Sequence, residues 1–497
     1  MKKLGIGLGI PAIGLSVFFF FCRGNYAQTK ADVATQLTIY NQDFAVVKEV
    51  RRINLRDGES EFRMDDVSAR LDPSSVILLD LNDPNGLKIL EQNYESEPVS
   101  QGLLLKKFEG KEILFEIIDA DGKSKILKKG KVIRSGYQSQ SLAYGYNYSQ
   151  QVASAGSPII EMDGKIRFGL PGTPLFEGIS EDSFLKPTLL WKLWSKEGGA
   201  HNVELSYITG GLKWEANYNA VFPEKGQELD LIGWITIDNR SGKDFKDASV
   251  KLMAGDVHRV QELRQQYYYY PMAKMAREDV SAPPPVTEKA FEEFHLYSLN
   301  RKTDVRDNEV KQVEFIRAVK VPSEKIYVYD PANAWRYSYG SGENADKKIW
   351  VMIEFKNREK DHLGMALPKG KIKVYRKDED GRNEFIGEDS IDHTPKDEDV
   401  RLYIGNAFDI VGEWRQSNYV VNDDKDFADE SFEVKLRNHK KETVEVRVIQ
   451  HLYRWANWTI KGNSEPYEKI DSATVQFKVK VKPDQEKIIT YTAHYTW

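Results

Sequence analysis

Apolar and polar residues alternate one for one along most of this chain. Leu37 and Ile39 are followed by Phe44 and Val46, then by Val203 to Ile208, Trp214 to Phe222 and Leu229 to Asp238. A period of two turns one face of a strand toward a core and the other toward water, whereas a helix would repeat every three to four residues. Toward the C-terminus the alternation is cleanest. Phe432, Val434 and Leu436 answer Val444, Val446 and Val448, while Val475, Phe477, Val479 and Val481 turn at Pro483-Asp484 into Ile489, Tyr491, Ala493 and Tyr495. Both pairs read as hairpins. Four Asp-Gly pairs, at Asp57, Asp121, Asp163 and Asp380, interrupt the alternation. Tight hairpin turns need positive φ, which Gly adopts without a Cβ clash and Asp tolerates, so each pair predicts a β-hairpin.

The spacing of these elements divides the chain. Residues 36–102 form an N-terminal β module, and 103–187 hold short, closely spaced strands that suit a small inserted β-barrel. Residues 188–260 lengthen into β-sandwich strands, in which Trp214 is expected in the core. A low-complexity linker over 261–290 combines a tyrosine run with Pro283, Pro284 and Pro285, and strand patterning resumes as a C-terminal β-sandwich region over 291–497. The predicted class is all-β, several sandwich modules with an inserted barrel, and negligible helix outside the linker and the N-terminus.

That N-terminus is the exception to the alternation. Lys2 and Lys3 precede the uncharged stretch Leu4–Phe21, and Arg23 restores charge. This order reads as a secretory signal over residues 1–27, with the mature chain beginning near Gln28 outside the cytoplasm. Cys22, the one cysteine, lies where a lipoprotein carries its lipid, although Phe21 is large for the residue before such a site. Periplasmic or secreted release is expected, with anchoring at Cys22 as the alternative. The mature chain then has no disulfide and depends on packed cores, which its length permits.

Charge narrows the partners. Removal of the leader takes Lys2, Lys3 and Arg23 with it and lowers the net charge from −5 to about −8. No basic stripe is present to neutralise phosphates, so nucleic acid is not expected, and membrane contact is expected only through the signal segment or a lipid anchor.

The chemistry-bearing residues form no recognisable motif. The eight histidines lack metal-ligand spacing, and no Gly-x-Ser-x-Gly elbow is present. Asp378-Glu379-Asp380-Gly381 has Gly387 where a calcium loop needs its bidentate Glu, and the acids Asp423, Asp424, Asp426, Asp429 and Glu430 read as a solvated loop. No catalytic, cofactor or metal residue is assigned. Ten tryptophans and twenty-five tyrosines are the remaining signal. Trp335, Tyr337 and Tyr339 in a Ser/Gly-rich loop are the candidate ligand contacts, and Trp455 and Trp458 at a strand end form a second candidate patch.

Leu37-Thr38-Ile39-Tyr40-Asn41, YITGGLKWEANY over Tyr207–Tyr218, WITIDNRSGKDFKDASVKLMAGDV over Trp234–Val257, Phe294 to Tyr297, LPKGKIKVYRKDEDGRNEFIGED over Leu367–Asp389 and Gly405-Asn406-Ala407-Phe408-Asp409 resemble one family. It is an uncharacterised family of exported bacterial β-rich proteins, a domain of unknown function, with members labelled mucoidy inhibitor A. The resemblance implies β-sandwich modules and export, and it brings no established activity and no catalytic residue. The long coiled coil of some members has no counterpart here. Two function classes remain: a non-catalytic envelope protein binding an envelope protein or surface polymer, and a carbohydrate- or peptide-active hydrolase whose carboxylate site is hidden in the sequence.

Overall fold

The computed structural model describes residues 34–96, 99–118, 125–137, 156–176, 185–255, 257–258, 286–331, 347–422 and 426–497. The expected signal with Cys22, most of the linker, and the loop holding Trp335, Tyr337 and Tyr339 lie outside the described residues.

The all-β expectation holds: the chain forms several separate sheets. An eight-stranded sheet runs in the order Val286–Phe291, Phe294–Leu299, Phe245–Ala254, Ala34–Tyr40, Phe44–Leu55, Gly199–Gly210 and Ile77–Asp80, with Thr303–Val305 also on Phe245–Ala254. A three-stranded sheet places Thr188–Ser195 between Gly58–Asp65 and Leu87–Glu95. A five-stranded sheet orders Glu309–Val321, Leu229–Asn239, Leu212–Phe222, Gly370–Lys377 and Asn383–Ile391. These three sheets share one core, in which Ile39, Val47, Leu193, Tyr207, Leu231 and Ile372 are fully or almost fully buried. Trp214 is in that core as its strand position predicts, its indole Nε1–H donating to the Met253 carbonyl at 3.1 Å.

The sheets are assembled from distant parts of the chain. Leu212–Phe222 pairs in parallel with Gly370–Lys377, and Leu229–Asn239 pairs with Glu309–Val321, so the five-stranded sheet crosses the boundary that the sequence pattern places at 261–290. At the end of that stretch Val286–Phe291 is a strand, paired antiparallel with Phe294–Leu299.

Three hairpin expectations are corrected, one at Asp57-Gly58 and two near the C-terminus. At Asp57-Gly58 the chain does not double back: Phe44–Leu55 belongs to the eight-stranded sheet and Gly58–Asp65 to the three-stranded one, so the turn carries the chain between layers. Asp163-Gly164 does form the expected tight hairpin, with φ of 53° and 69° and Met162 opposite Lys165. The two C-terminal pairs are not hairpins either. Phe427–Asn438 pairs with Asp399–Val421 and Gln485–Thr496, whereas Val444–His451 pairs with Ser323–Tyr329 and Thr474–Val481. All belong to one nine-stranded sheet that folds back on itself, so strands consecutive in sequence face each other across a core instead of sharing a ladder. Phe477 stacks on Tyr491 across that core, with ring centroids 4.8 Å apart. Alternation marks which face of a strand is buried but not whether its neighbour pairs beside it or packs over it.

The expected inserted barrel is an open sheet, ordered Thr173–Leu175, Glu112–Ile118, Lys125–Arg134, Ile159–Met162 and Lys165–Phe168. Strands of three and four residues at its two edges leave it unclosed. The short helix Gln101–Lys107 covers one face instead, placing Leu105 against Ile113, Phe115, Val132 and Ile160. Ser100 caps this helix by accepting from the Leu103 amide at 3.2 Å, a signal that the strand reading of the region passed over.

Candidate functional site

The nine-stranded sheet gathers exposed aromatic side chains at one end. Its strand Phe427–Asn438 buries every second residue, Ala428, Glu430, Phe432, Val434 and Leu436, so Glu430 occupies a core position at 1% exposure. Register brings the end of Asp399–Val421 and the end of Gln485–Thr496 alongside it, with Tyr419 opposite Glu430 and Ala428 opposite Tyr495. Trp458–Lys461 then places Trp458 opposite Tyr495, which delivers residues 453–457 to the same end. Tyr419, Tyr453, Trp455 and Trp497 are each about half exposed there.

A buried charge anchors this cluster. Glu430 Oε1 accepts from Arg454 and, at 3.2 Å, from Gln416 Nε2, while its Oε2 is buried without a hydrogen-bond partner among the described residues. The Arg454 guanidinium lies 4.5 Å from the centroid of the Tyr419 ring, so one side chain joins the buried carboxylate to an exposed ring. Its hydrogen bond to Glu430 raises the Arg454 pKa further. Burial, and then the Glu430 charge, push the Tyr453 and Tyr495 phenols above their ordinary values. Beside Tyr453, Trp455 meets Trp497 edge to face at 6.4 Å, and the Trp497 amide donates to the Asp426 carbonyl at 3.3 Å.

This arrangement suits contact more than catalysis. Rings held at fixed angles offer large apolar faces at little further loss of side-chain entropy. The neighbouring acids do not converge: Asp429 Oδ1 pairs with His494 Nδ1 at 2.6 Å, Glu430 pairs with Arg454, and the Asp426 amide is held by Asn422 Oδ1 at 2.9 Å. Glycoside hydrolysis needs two carboxyls on opposite sides of one bond, and calcium needs several oxygens around one point. Among the described residues no group of three or more His, Cys, Asp and Glu side chains is placed to hold a metal ion.

Of the two candidate tryptophans, Trp455 joins the exposed cluster. Trp458 instead donates to the Ser472 carbonyl at 2.8 Å and lies under Lys469, partly buried against the core. The sequence reading missed Tyr419, Tyr453 and Trp497, which only the register of three strands brings to Trp455. It also missed Arg454 beside Trp455, where a charge flanked by two aromatic residues was the available signal.

One triad-like grouping also escaped the sequence. Ser195 Oγ lies 3.3 Å from His201 Nε2, and His201 Nδ1 lies 2.5 Å from Asp80 Oδ2. The order of atoms is that of a nucleophile, base and orienting acid. Its hydroxyl is committed elsewhere, donating to the Glu197 carbonyl at 2.6 Å, and the same carbonyl lies 3.0 Å from His201 Nε2. Ser195 is wholly buried, so no substrate carbonyl reaches it. The group clasps the end of the three-stranded sheet to the eight-stranded one.

Residues 203–497 match a family described as Domain of unknown function (DUF4139). No curated protein matches the chain. The matched region begins inside the strand Gly199–Gly210, whose sheet partner Phe44–Leu55 lies outside it, so the fold draws the preceding residues into the same core.

Proposed function

The chain belongs to the DUF4139 family, a domain of unknown function, and from that premise we propose that it is a non-catalytic binding protein of the bacterial cell envelope. Export of the mature chain, to the periplasm or beyond, rests on the basic, apolar and polar order of the first residues. The resemblance to members labelled mucoidy inhibitor A supports the same location. The partner is a surface carbohydrate polymer, held at the end of the nine-stranded sheet.

The observation that carries this reading is the grouping of Tyr419, Tyr453, Trp455 and Trp497, half exposed, around the Glu430–Arg454 pair. Single exposed apolar residues are ordinary on protein surfaces, but four aromatic side chains at one sheet end are not. Pyranose faces carry C–H groups that stack on such rings, and each fixed ring binds without a large ordering cost. The test is binding of purified mature chain to polysaccharide extracted from the envelope. Replacing Trp455 and Trp497 together with Ala should weaken binding at least about tenfold while circular dichroism stays unchanged, since exposed substitutions cost little stability. Hydrolysis of the polymer that a single carboxylate substitution abolishes refutes the non-catalytic reading.

A further inference from the structure

The aromatic end carries a charge of its own, and that charge bears on which polymer it takes. The three segments that bear its rings, residues 416–432, 453–458 and 491–497, hold five acidic residues against Lys425 and Arg454, with His494 besides. The balance is negative whether or not His494 is protonated. Asp426, Asp429 and Glu430 are the acids among the described residues. Outside those segments Arg415 is paired with Glu433 at 2.9 Å, and Lys469 lies over Trp458, which is partly buried against the core.

An acidic sugar finds no ready cation here. Arg454, the one guanidinium of the three segments, donates to Glu430 Oε1 and lies 4.5 Å from the centroid of the Tyr419 ring, so both its edge and its face are engaged. A carboxylate on a ligand would have to draw it from Glu430. That would leave Glu430, at 1% exposure, as a buried charge without its cation. His494 is likewise held, with Nδ1 2.6 Å from Asp429 Oδ1. Asp426 is exposed, and its side chain accepts from Asn422, a neutral amide, so no cation offsets its charge among the described residues. Its carbonyl accepts from the Trp497 amide, which fixes that charge beside one of the four rings.

The rings select in the same direction. An aromatic face is the negative side of its quadrupole, so it attracts the C–H face of a pyranose or a cation and repels a carboxylate or phosphate. Arg454 already uses that polarity at Tyr419.

We propose that the aromatic end selects against acidic sugars, so that the pyranoses it contacts, neutral or amino, carry no carboxylate and no phosphate. This deepens the polymer reading given above and rests on it.

The experiment separates envelope polysaccharide on an anion exchanger into a non-acidic and an acidic fraction and titrates the purified mature chain with each. The non-acidic fraction should bind at least about tenfold more tightly per sugar. The acidic fraction should gain affinity when added salt screens the repulsion, and again when carbodiimide and borohydride convert its carboxylates to hydroxymethyl groups. Asp426→Lys puts a cation beside Trp497 and should narrow the preference about threefold or more, an effect that a merely structural role for Asp426 would not produce. Tighter binding of the acidic fraction, loss of its binding on carboxylate reduction, or a preference that Asp426→Lys leaves unchanged overturns the proposal. If the binding then seen still depends on Trp455 and Trp497, the polymer reading stands without it. Binding to neither fraction removes both.

Discussion

Lys243 Nζ sits 3.3 Å from Glu49 Oε1, and the two side chains are 3% and 1% exposed. Glu49 lies on the buried row of Phe44–Leu55, and Lys243 comes from the turn that carries the chain from Leu229–Asn239 of the five-stranded sheet into Phe245–Ala254 of the eight-stranded one, so the pair pins that crossover. Arg51 adds a second contact to Glu49 through Nε at 3.0 Å and donates to the Asp65 carbonyl at 2.9 Å, beside the three-stranded sheet. Charges this deep are costly to bury and costly to strand. Lys243→Ala leaves Glu49 with Arg51 alone and should lower unfolding stability by about 3 kcal/mol or more. Urea denaturation measures it, and a change within error would mean that water enters the site.

Asp66 makes the same cluster sensitive to acid. Burial pushes its carboxyl up, but the Lys243 charge and hydrogen bonds from Lys186 and Lys243 outweigh this and hold its pKa at about 2. The folded value lies below that of an unfolded aspartate, about 3.9, so the contribution is complete above that pH and is lost as pH falls toward 2. The urea midpoint should drop across that window, and Asp66→Asn should make the drop shallower. Because Asp66 is half exposed, screening keeps the effect modest. Identical pH profiles for the two chains would remove Asp66 from the acid response.

The all-β class was legible because alternation follows directly from burial on one face, as in Phe427–Asn438, where every second residue is buried. Asp163-Gly164 was legible because its turn is local. Asp57-Gly58 shows the limit: the same dipeptide supplies positive φ whether the chain returns in one ladder or crosses to another sheet, and only strands far away in sequence decide. The aromatic site was hidden for the same reason. Tyr419, Trp455 and Trp497 are separated by dozens of residues, and nothing in any one strand announces which other strand lies beside it. Glu430 was read as part of a solvated loop because its acidic neighbours set the local composition. The parity of Ala428, Phe432 and Val434 placed it on the buried row, and that parity was in the sequence.

Gly412 records a packing constraint inside the C-terminal core. It lies in Asp399–Val421, and a Cβ there would stand 2.6 to 2.7 Å from three atoms of the Tyr329 ring. Tyr329 is wholly buried, so its ring cannot swing out into water without uncovering the core. Gly412→Ala should therefore cost about 1–3 kcal/mol, the range for overpacking a filled core. Thermal unfolding tests this, and an unchanged midpoint would show that the ring shifts freely.

Ser195 should prove structural. Its hydroxyl donates to the Glu197 carbonyl, and the Asp80 carboxyl, although burial opposes ionisation, is held below its ordinary pKa by hydrogen bonds from His201 and from the amides of Asn82 and Asp83. Ser195→Ala should cost about 1 kcal/mol, the usual net worth of a buried hydrogen bond. A fluorophosphonate probe should leave the folded chain unlabelled at this position. Labelling of Ser195 in the native protein, relieved by His201→Ala, would restore the hydrolase reading.

Arg454 offers the sharpest separation of support from contact at the aromatic end. Its guanidinium reaches the buried Glu430 while lying over the Tyr419 ring, so it fixes a ring that should touch ligand without itself being the main contact surface. Arg454→Lys keeps the charge near Glu430 but loses the planar group that stacks on Tyr419. It should retain most of the stability and weaken polymer binding several-fold through loss of ring positioning. Arg454→Ala strands the Glu430 carboxylate and should lower stability by about 3 kcal/mol as well. Binding is compared at a temperature where circular dichroism shows every variant folded. If Arg454→Lys binds polymer as the parent chain does while Arg454→Ala does not, charge alone matters there and the ordered Tyr419 ring has no part in recognition.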